Sequence, residues 1–310
     1  MDFSDLAPLA GGWSGQTFVA EAGGERTVVR IYPPGHRDDA GPEVDAAVLR
    51  LVWGLVPVPD VLEVRRGVPA ADQPGLLVTS YLPGQRGDLV LPTLDDAGLA
   101  ALGDRIGRLA ADLAGMPTLR AGMFVDADLT IADFGAPDVL PGLVEDHAAA
   151  LGWPEPMIEG LQVVAAEAQA LLDSVGRTCL VHSDLNPKNL LVDPRTLRVT
   201  GVLDWEFAHS GHPFTDLGNL LRFDRDAAYV EAVVGAWCER RGGTPERALD
   251  LARAADLWAL VDLAARAGEN PIADRAAGLL RAIAAAGDLH ALPDEAASGR
   301  AARGGPPGPS

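Results

Sequence analysis

His182-Ser183-Asp184-Leu185-Asn186-Pro187-Lys188-Asn189 is the stretch on which the fold of this chain turns. Asp184 and Asn189 stand five positions apart on a polar segment. The apolar run Cys179-Leu180-Val181 precedes it and Leu190-Leu191-Val192 follows it, each of strand length. Asp193-Pro194-Arg195-Thr196 reads as a turn, and Arg198 to Leu203 as the returning strand. That strand ends at Leu203-Asp204-Trp205-Glu206, which places Asp204 fifteen residues past Asn189.

The side chains at the edges of this small hairpin narrow the chemistry. A carboxylate at 204 and an amide carbonyl at 189 are hard oxygen donors suited to Mg²⁺. A second carboxylate free of metal, Asp184, can orient a hydroxyl and accept its proton. Moving a phosphoryl group requires that combination and little covalent help from the protein. The plain alternative is an ordinary Asn-Pro turn between two strands. Asp204 and the downstream Asp216-Leu217-Gly218-Asn219 weigh against it.

Taken together, these residues resemble the Brenner motif of the aminoglycoside phosphotransferase and choline kinase-like family, relatives of the protein kinases. The resemblance covers most of residues 3–290 and is strongest from His182 to Asn219. It implies an α+β, protein-kinase-like bilobal fold, with a small β-rich N-lobe and a larger, mainly helical C-lobe. The implied division is 1–83 for the nucleotide-binding lobe, 84–293 for the catalytic and substrate lobe, and 294–310 for a disordered tail.

The same resemblance implies roles for single residues. Asp184 would be the catalytic base, Asn189 and Asp204 the Mg²⁺ ligands, and His182 and Asp216 the braces of the loop. ATP or GTP would be the phosphate donor. Gly11-Gly12-Trp13-Ser14-Gly15 lies where the family places its phosphate-covering loop, which brings in Ser14. Arg30, within Val28-Val29-Arg30-Ile31-Tyr32, stands in the place of the family's phosphate-binding Lys. Glu43, opening the next helix, would be its ion-pair partner. Ser80-Tyr81-Leu82 resembles the hinge that holds the purine through backbone groups. Arg30 departs from the pattern, since it offers phosphate a planar fork rather than a compact ammonium. Ser183 replaces the Arg of the kinase His-Arg-Asp, and Trp205-Glu206 replace Phe-Gly. Eleven residues separate Asp204 from Asp216, too few for a regulated activation loop.

Acidic residues of the late helices, Asp262 and Glu269, together with Glu206 beside Asp204, are the implied contacts to a cationic substrate. A solvated acidic face is the plainer reading of Asp262 and Glu269. Glu206, His209 and His212 invite a zinc reading, but their loop contains Gly211 and Pro213 and offers no regular face for ligands.

The whole chain fits this picture. Its 310 residues suffice for two sizeable lobes. A net charge of −19 disfavours nucleic acid and anionic membranes; it either raises the local concentration of basic small molecules or serves solubility alone. Cys179 and Cys238 form no CxxC or Cys/His zinc spacing, which fits a reduced compartment. The N-terminus has no basic or apolar signal, so a cytoplasmic location is expected. The expected partner is a small basic substrate, and the chain is expected to be a monomer or dimer. The expected function is O-phosphorylation of a small cationic molecule. Inactivation of an aminoglycoside or of a tuberactinomycin such as viomycin or capreomycin leads. A metabolic kinase for an amino alcohol or sugar, or a non-catalytic nucleotide-binding module, remains as an alternative.

Hydrophobic periodicity predicts strands at Thr17–Glu21, Arg26–Tyr32, Val61–Val64 and Leu76–Tyr81. It predicts helices at Pro42–Trp53, Asp95–Ala114, Glu159–Val175, Asp216–Phe223, Asp226–Arg241, Pro245–Ala267 and Ile272–Ala286.

Overall fold

The computed structural model describes residues 7–8, 16–22, 24–33, 40–135 and 139–293. The glycine-rich stretch 11–15, with Ser14, and the tail 294–310 lie outside the described residues. The chain divides into two compact units, Met1–Ala136 with Val175–Ala255, and Pro137–Ser174 with Asp256–Ser310.

The first unit opens with β1 (Ala7–Pro8), β2 (Gln16–Ala22), β3 (Glu25–Tyr32), α1 (Gly41–Val52), β4 (Val61–Arg65) and β5 (Gly75–Ser80). These strands form one antiparallel sheet in the order β1-β2-β3-β5-β4. Side chains alternate across β3, so Val29 and Ile31 share one face and Arg30 and Tyr32 the other. Val29, Leu76 and Val78 form a small core with Ala20 and Ile31. Helix α1 starts with Pro42, whose missing N–H costs nothing in a first turn. It buries Val44, Asp45, Val48, Leu49 and Val52.

The chain continues through β6 (Gln85–Arg86), α2 (Gly87–Val90), α3 (Asp96–Ala114), β7 (Pro117–Thr118), β8 (Gly122–Phe124) and β9 (Ile131–Ala132). The Asp95 side chain caps α3 by accepting the Gly98 N–H at 2.9 Å. Helices α4 (Leu140–Leu151) and α5 (Glu155–Leu172) belong to the second unit. The first unit resumes with β10 (Thr178–Val181), β11 (Leu190–Val192), β12 (Val199–Val202), β13 (His209–Gly211), α6 (Thr215–Leu221) and α7 (Ala227–Arg241). Helix α8 (Pro245–Ala264) begins in the first unit and ends in the second, and α9 (Pro271–Ala286) lies in the second.

Two further antiparallel sheets frame the polar loop of residues 182–189. One has the order β7-β10-β13-β8-β9 and the other β12-β11-β6. Helices α3 and α7 approach closely because α3 carries Gly103 and Gly107 on one face. A methyl group at 103 would lie 2.9 Å from the Tyr229 carbonyl oxygen, and one at 107 would collide with the Val233 carbonyl.

All seven predicted strands and seven predicted helices are present, with ends shifted by a few residues. The third predicted helix starts earlier, at Glu155, where Pro156 sits in the first turn. The sequence reading lacked α4, the four-residue α2 and the two- and three-residue strands β1, β6 to β9 and β13. These strands are too short for an alternating pattern to register. Cys179 is fully buried, as its apolar surroundings suggested. Burial, with the nearby Asp216 charge, pushes its thiol up to about 12.

Candidate active site

The loop between β10 and β11 is held from both ends. Asp216, fully enclosed at the start of α6, accepts the backbone N–H groups of His182 and Ser183, each at 2.9 Å. Burial pushes the Asp216 carboxyl up from its ordinary range, against the downward pull of His182 and of these two donors. His182 is buried and uses both ring nitrogens. Its Nδ1 accepts the Asp184 N–H at 3.3 Å, which leaves Nε2 to donate to the Leu203 carbonyl at 2.9 Å. The imidazole therefore braces the loop against the end of β12. It packs against the Trp205 ring with centroids 4.5 Å apart.

Within the loop, Asn186 caps a single turn at Pro187–Asn189 by accepting the Lys188 N–H at 3.1 Å. That turn brings three donors to Asp184. Asn186 Nδ2 lies 2.6 Å from Oδ1, Asn189 Nδ2 lies 2.8 Å from Oδ2, and Lys188 Nζ lies 3.2 Å from Oδ2. A carboxylate has roughly four lone-pair sites. Room remains for one acceptor hydroxyl. The Asn189 amide nitrogen also bonds the Asp184 carbonyl at 2.9 Å, so its Oδ1 is turned away from Asp184. Among the described residues that oxygen takes part in no hydrogen bond.

Asp204 follows β12 with left-handed backbone, φ 65°. Its strand is joined to the loop where the Leu203 N–H donates to the Asn189 carbonyl at 2.9 Å. Arg30 reaches across from β3. Its Nη1 lies 3.0 Å from Asp204 Oδ1, and its Nη2 forms an ion pair with Glu206 Oε2. Burial alone would lower the affinity of Arg30 for its proton. The surrounding Tyr32, Asp204, Glu206 and Asp45 outweigh that and raise it, so the guanidinium stays charged.

Apart from Ser14, which lies outside the described residues, each residue singled out in the sequence has a definite place. Asp184, Asn189, Asp204, His182, Asp216, Arg30 and Glu206 form one continuous set of contacts. Glu43 does not face Arg30. It meets Arg66 at 3.4 Å, because two residues along a helix are about 200° apart and the buried face of α1 carries Asp45 instead. Asp45 accepts the Tyr32 hydroxyl at 2.6 Å. Neither Asp45 nor Tyr32 was marked in the sequence; the phase of Asp45 with Val44, Val48 and Val52 was the signal available. Glu206 is buried and paired, not open to a substrate. Ser80 is tied to Asp60, its N–H donating at 2.9 Å and its hydroxyl accepting at 2.8 Å. The backbone groups of Leu82 have no backbone partner among the described residues. Asp262, in the second unit, pairs with Arg266 and lies 3.9 Å from His147 Nε2. Glu269 is exposed.

The sequence of residues 5–257 matches the profile of the phosphotransferase enzyme family, so the chain belongs to that family. Solved aminoglycoside phosphotransferases share its α+β, protein-kinase-like fold. A thermostable mutant of aminoglycoside phosphotransferase (4)-Ia, in a ternary complex with AMP-PNP and hygromycin B, superposes with a TM-score of 0.67 at 20% identity, covering 92% of this chain and 94% of that one. The GDP complex of an aminoglycoside 2'-phosphotransferase-IIIa mutant gives 0.65 at 16% identity, covering 92% of each. Among curated proteins, acyl-CoA dehydrogenase family member 11 of Mus musculus is 33% identical over 93 residues, which is 24% of this chain and 12% of that protein. The counterpart from Rattus norvegicus is 32% identical over the same length. The chain thus spans about one eighth of the curated relatives it matches. No helix among the described residues is long and apolar enough to cross a membrane.

Proposed function

We propose that this chain transfers the γ-phosphate of ATP or GTP to a hydroxyl of a small, basic molecule with the help of Mg²⁺. The observation that carries this reading is the set of hydrogen bonds joining Asp184, Asn189 and the strand that ends at Asp204. Asp184 orients the acceptor hydroxyl and takes its proton. Lys188, 3.2 Å from Asp184, lends positive charge beside the transferring group. Asn189 Oδ1 and the Asp204 carboxylate are the oxygens that would hold Mg²⁺, and both are hard donors of the right type. When bound, that ion neutralises charge on the phosphate oxygens. Arg30 adds a fixed cation on the same side. In this reading residues 1–83, with Ser14, Arg30, Ser80 and Leu82, serve the nucleotide, and the open backbone of Leu82 pairs with the purine edge. Residues 84–293 serve catalysis and the acceptor, with Asp262 and Glu269 as candidate contacts to its amines.

The favoured acceptors are aminoglycosides and tuberactinomycins such as viomycin and capreomycin, in keeping with the −19 net charge and with the hygromycin B complex of a structural neighbour. Amino alcohols and sugars form the second class. The acyl-CoA in the printed name of the curated relatives adds a hydroxyacyl thioester to the compounds worth testing. The experiment is a mass-spectrometric screen of these classes with Mg²⁺ and either nucleotide. Gain of one phosphate by a compound identifies its class. Nucleotide binding without transfer to any class would favour a non-catalytic module, and absence of nucleotide binding would remove the reading.

A further inference from the structure

Arginine at position 30 poses a problem that lysine would not. An ammonium attracts phosphate from any direction, whereas a guanidinium works best when its plane is aimed at the oxygens it meets. The long side chain also loses rotamer freedom when it is held in one geometry. A device that fixes its plane beforehand would remove part of that cost from binding.

Such a device surrounds Arg30. Its two terminal nitrogens go to different carboxylates, Nη1 to Asp204 and Nη2 to Glu206, which fixes the plane of the fork. Its guanidinium carbon lies 5.2 Å from the centroid of the Tyr32 ring, on the same face of β3. The Tyr32 hydroxyl is anchored in turn on buried Asp45 of α1 at 2.6 Å. Glu206 is 5% and Asp45 3% exposed, so both carboxylates act with little screening by water.

We propose that Glu206, and Asp45 acting through Tyr32, are positioning residues that aim the Arg30 guanidinium at the nucleotide phosphates without touching the nucleotide themselves. This rests on the phosphotransfer reading above and adds to it the support that an arginine in this place requires. It also removes Glu206 from the substrate contacts.

The test is a double-mutant cycle on nucleotide affinity. Binding of AMP-PNP and GMP-PNP with Mg²⁺ is measured calorimetrically for the wild-type chain, Tyr32→Phe, Glu206→Gln, Arg30→Ala and the two doubles containing Arg30→Ala. Thermal melts accompany each. Tyr32→Phe removes one oxygen and keeps the ring, so it carries the test if Glu206→Gln fails to fold. Each single substitution at 32 or 206 is expected to weaken binding by roughly 3- to 10-fold, and to have no further effect once Arg30 is Ala. A merely structural contribution would lower the melting temperature and leave this coupling at zero. Unchanged affinity in Tyr32→Phe, effects that add to that of Arg30→Ala, or unchanged affinity in Arg30→Ala itself would each overturn the inference while leaving the phosphotransfer reading in place. If the wild-type chain bound neither analogue, the phosphotransfer reading and this inference would both fall.

Discussion

The side-chain amide of Asn189 donates to Asp184 Oδ2 over 2.8 Å, which makes the proposed metal ligand and the proposed base one hydrogen-bonded unit. The contact uses up the amide nitrogen and so decides which way the Asn189 oxygen faces. Removing the charge of Asp184 should therefore affect proton transfer more than nucleotide binding. Asp184→Asn is expected to lower the turnover number by at least about 100-fold. Its nucleotide affinity, measured by calorimetry, should stay within a few-fold of wild type. Near-normal turnover would take Asp184 out of the base role.

The Asp204 carboxylate meets Arg30 Nη1 at 3.0 Å, one residue after the Leu203 N–H that binds the Asn189 carbonyl. Asp204→Ala is expected to weaken nucleotide binding in the presence of Mg²⁺ and to have a much smaller effect in EDTA, because the lost group is a metal ligand. Titrating a fluorescent nucleotide under the two conditions separates them. Equal losses in both would point to a role through Arg30 alone.

Asp216 serves the loop through its backbone. Asp216→Ala would leave the buried His182 N–H and the part-buried Ser183 N–H without an acceptor, at about 1–3 kcal/mol for the buried one and less for the other. We expect a clear drop in melting temperature together with loss of activity. Asp216→Asn, which keeps one acceptor oxygen, should recover part of the stability.

Gly107 is the tightest point between α3 and α7. Gly107→Ala inserts a methyl group against the Val233 carbonyl, where neither helix backbone has room to yield. The expected cost is about 1–3 kcal/mol of stability, read from chemical denaturation. Alanine would favour an isolated helix, so a stabilised variant would contradict the close approach.

His209 gives a dependence on pH. Desolvation holds its imidazole below the ordinary 6.5 despite the acceptor at the Phe207 carbonyl. The unfolded chain thus takes up a proton near pH 6.5 before the folded one does. The stability linked to His209 is present above that pH and is lost as pH falls toward the lower folded value. The slope of melting temperature against pH between about 7.5 and 5.5 should be shallower in His209→Gln. An identical slope would place the dependence elsewhere.

The part of the site that was legible in the sequence is the part that is local. Asp184, Asn189, Asp204 and Asp216 lie within 33 residues and are set by a hairpin and two turns, whose residue types are characteristic. Arg30 could be placed by its strand. Its partners could not, because the pairing with Glu206 spans 176 residues and depends on which side of β3 meets the loop after β12. Glu43 drew attention as the first acid of α1, a position that many helices fill with an acid for the sake of the dipole. The residue that turns inward is Asp45, and its burial is a matter of helix phase. Helix α4 escaped notice because Pro141 and Gly142, residues more often found in turns, stand in its first turn.

Ser183 holds a left-handed backbone, φ 69°, and donates its N–H to Asp216. For an L-residue that geometry costs about 1–2 kcal/mol, and glycine adopts it freely. Because what the loop asks of this position is its amide and not its hydroxyl, Ser183→Gly marks a spot where an engineer could gain thermal robustness without redesigning the catalytic chemistry.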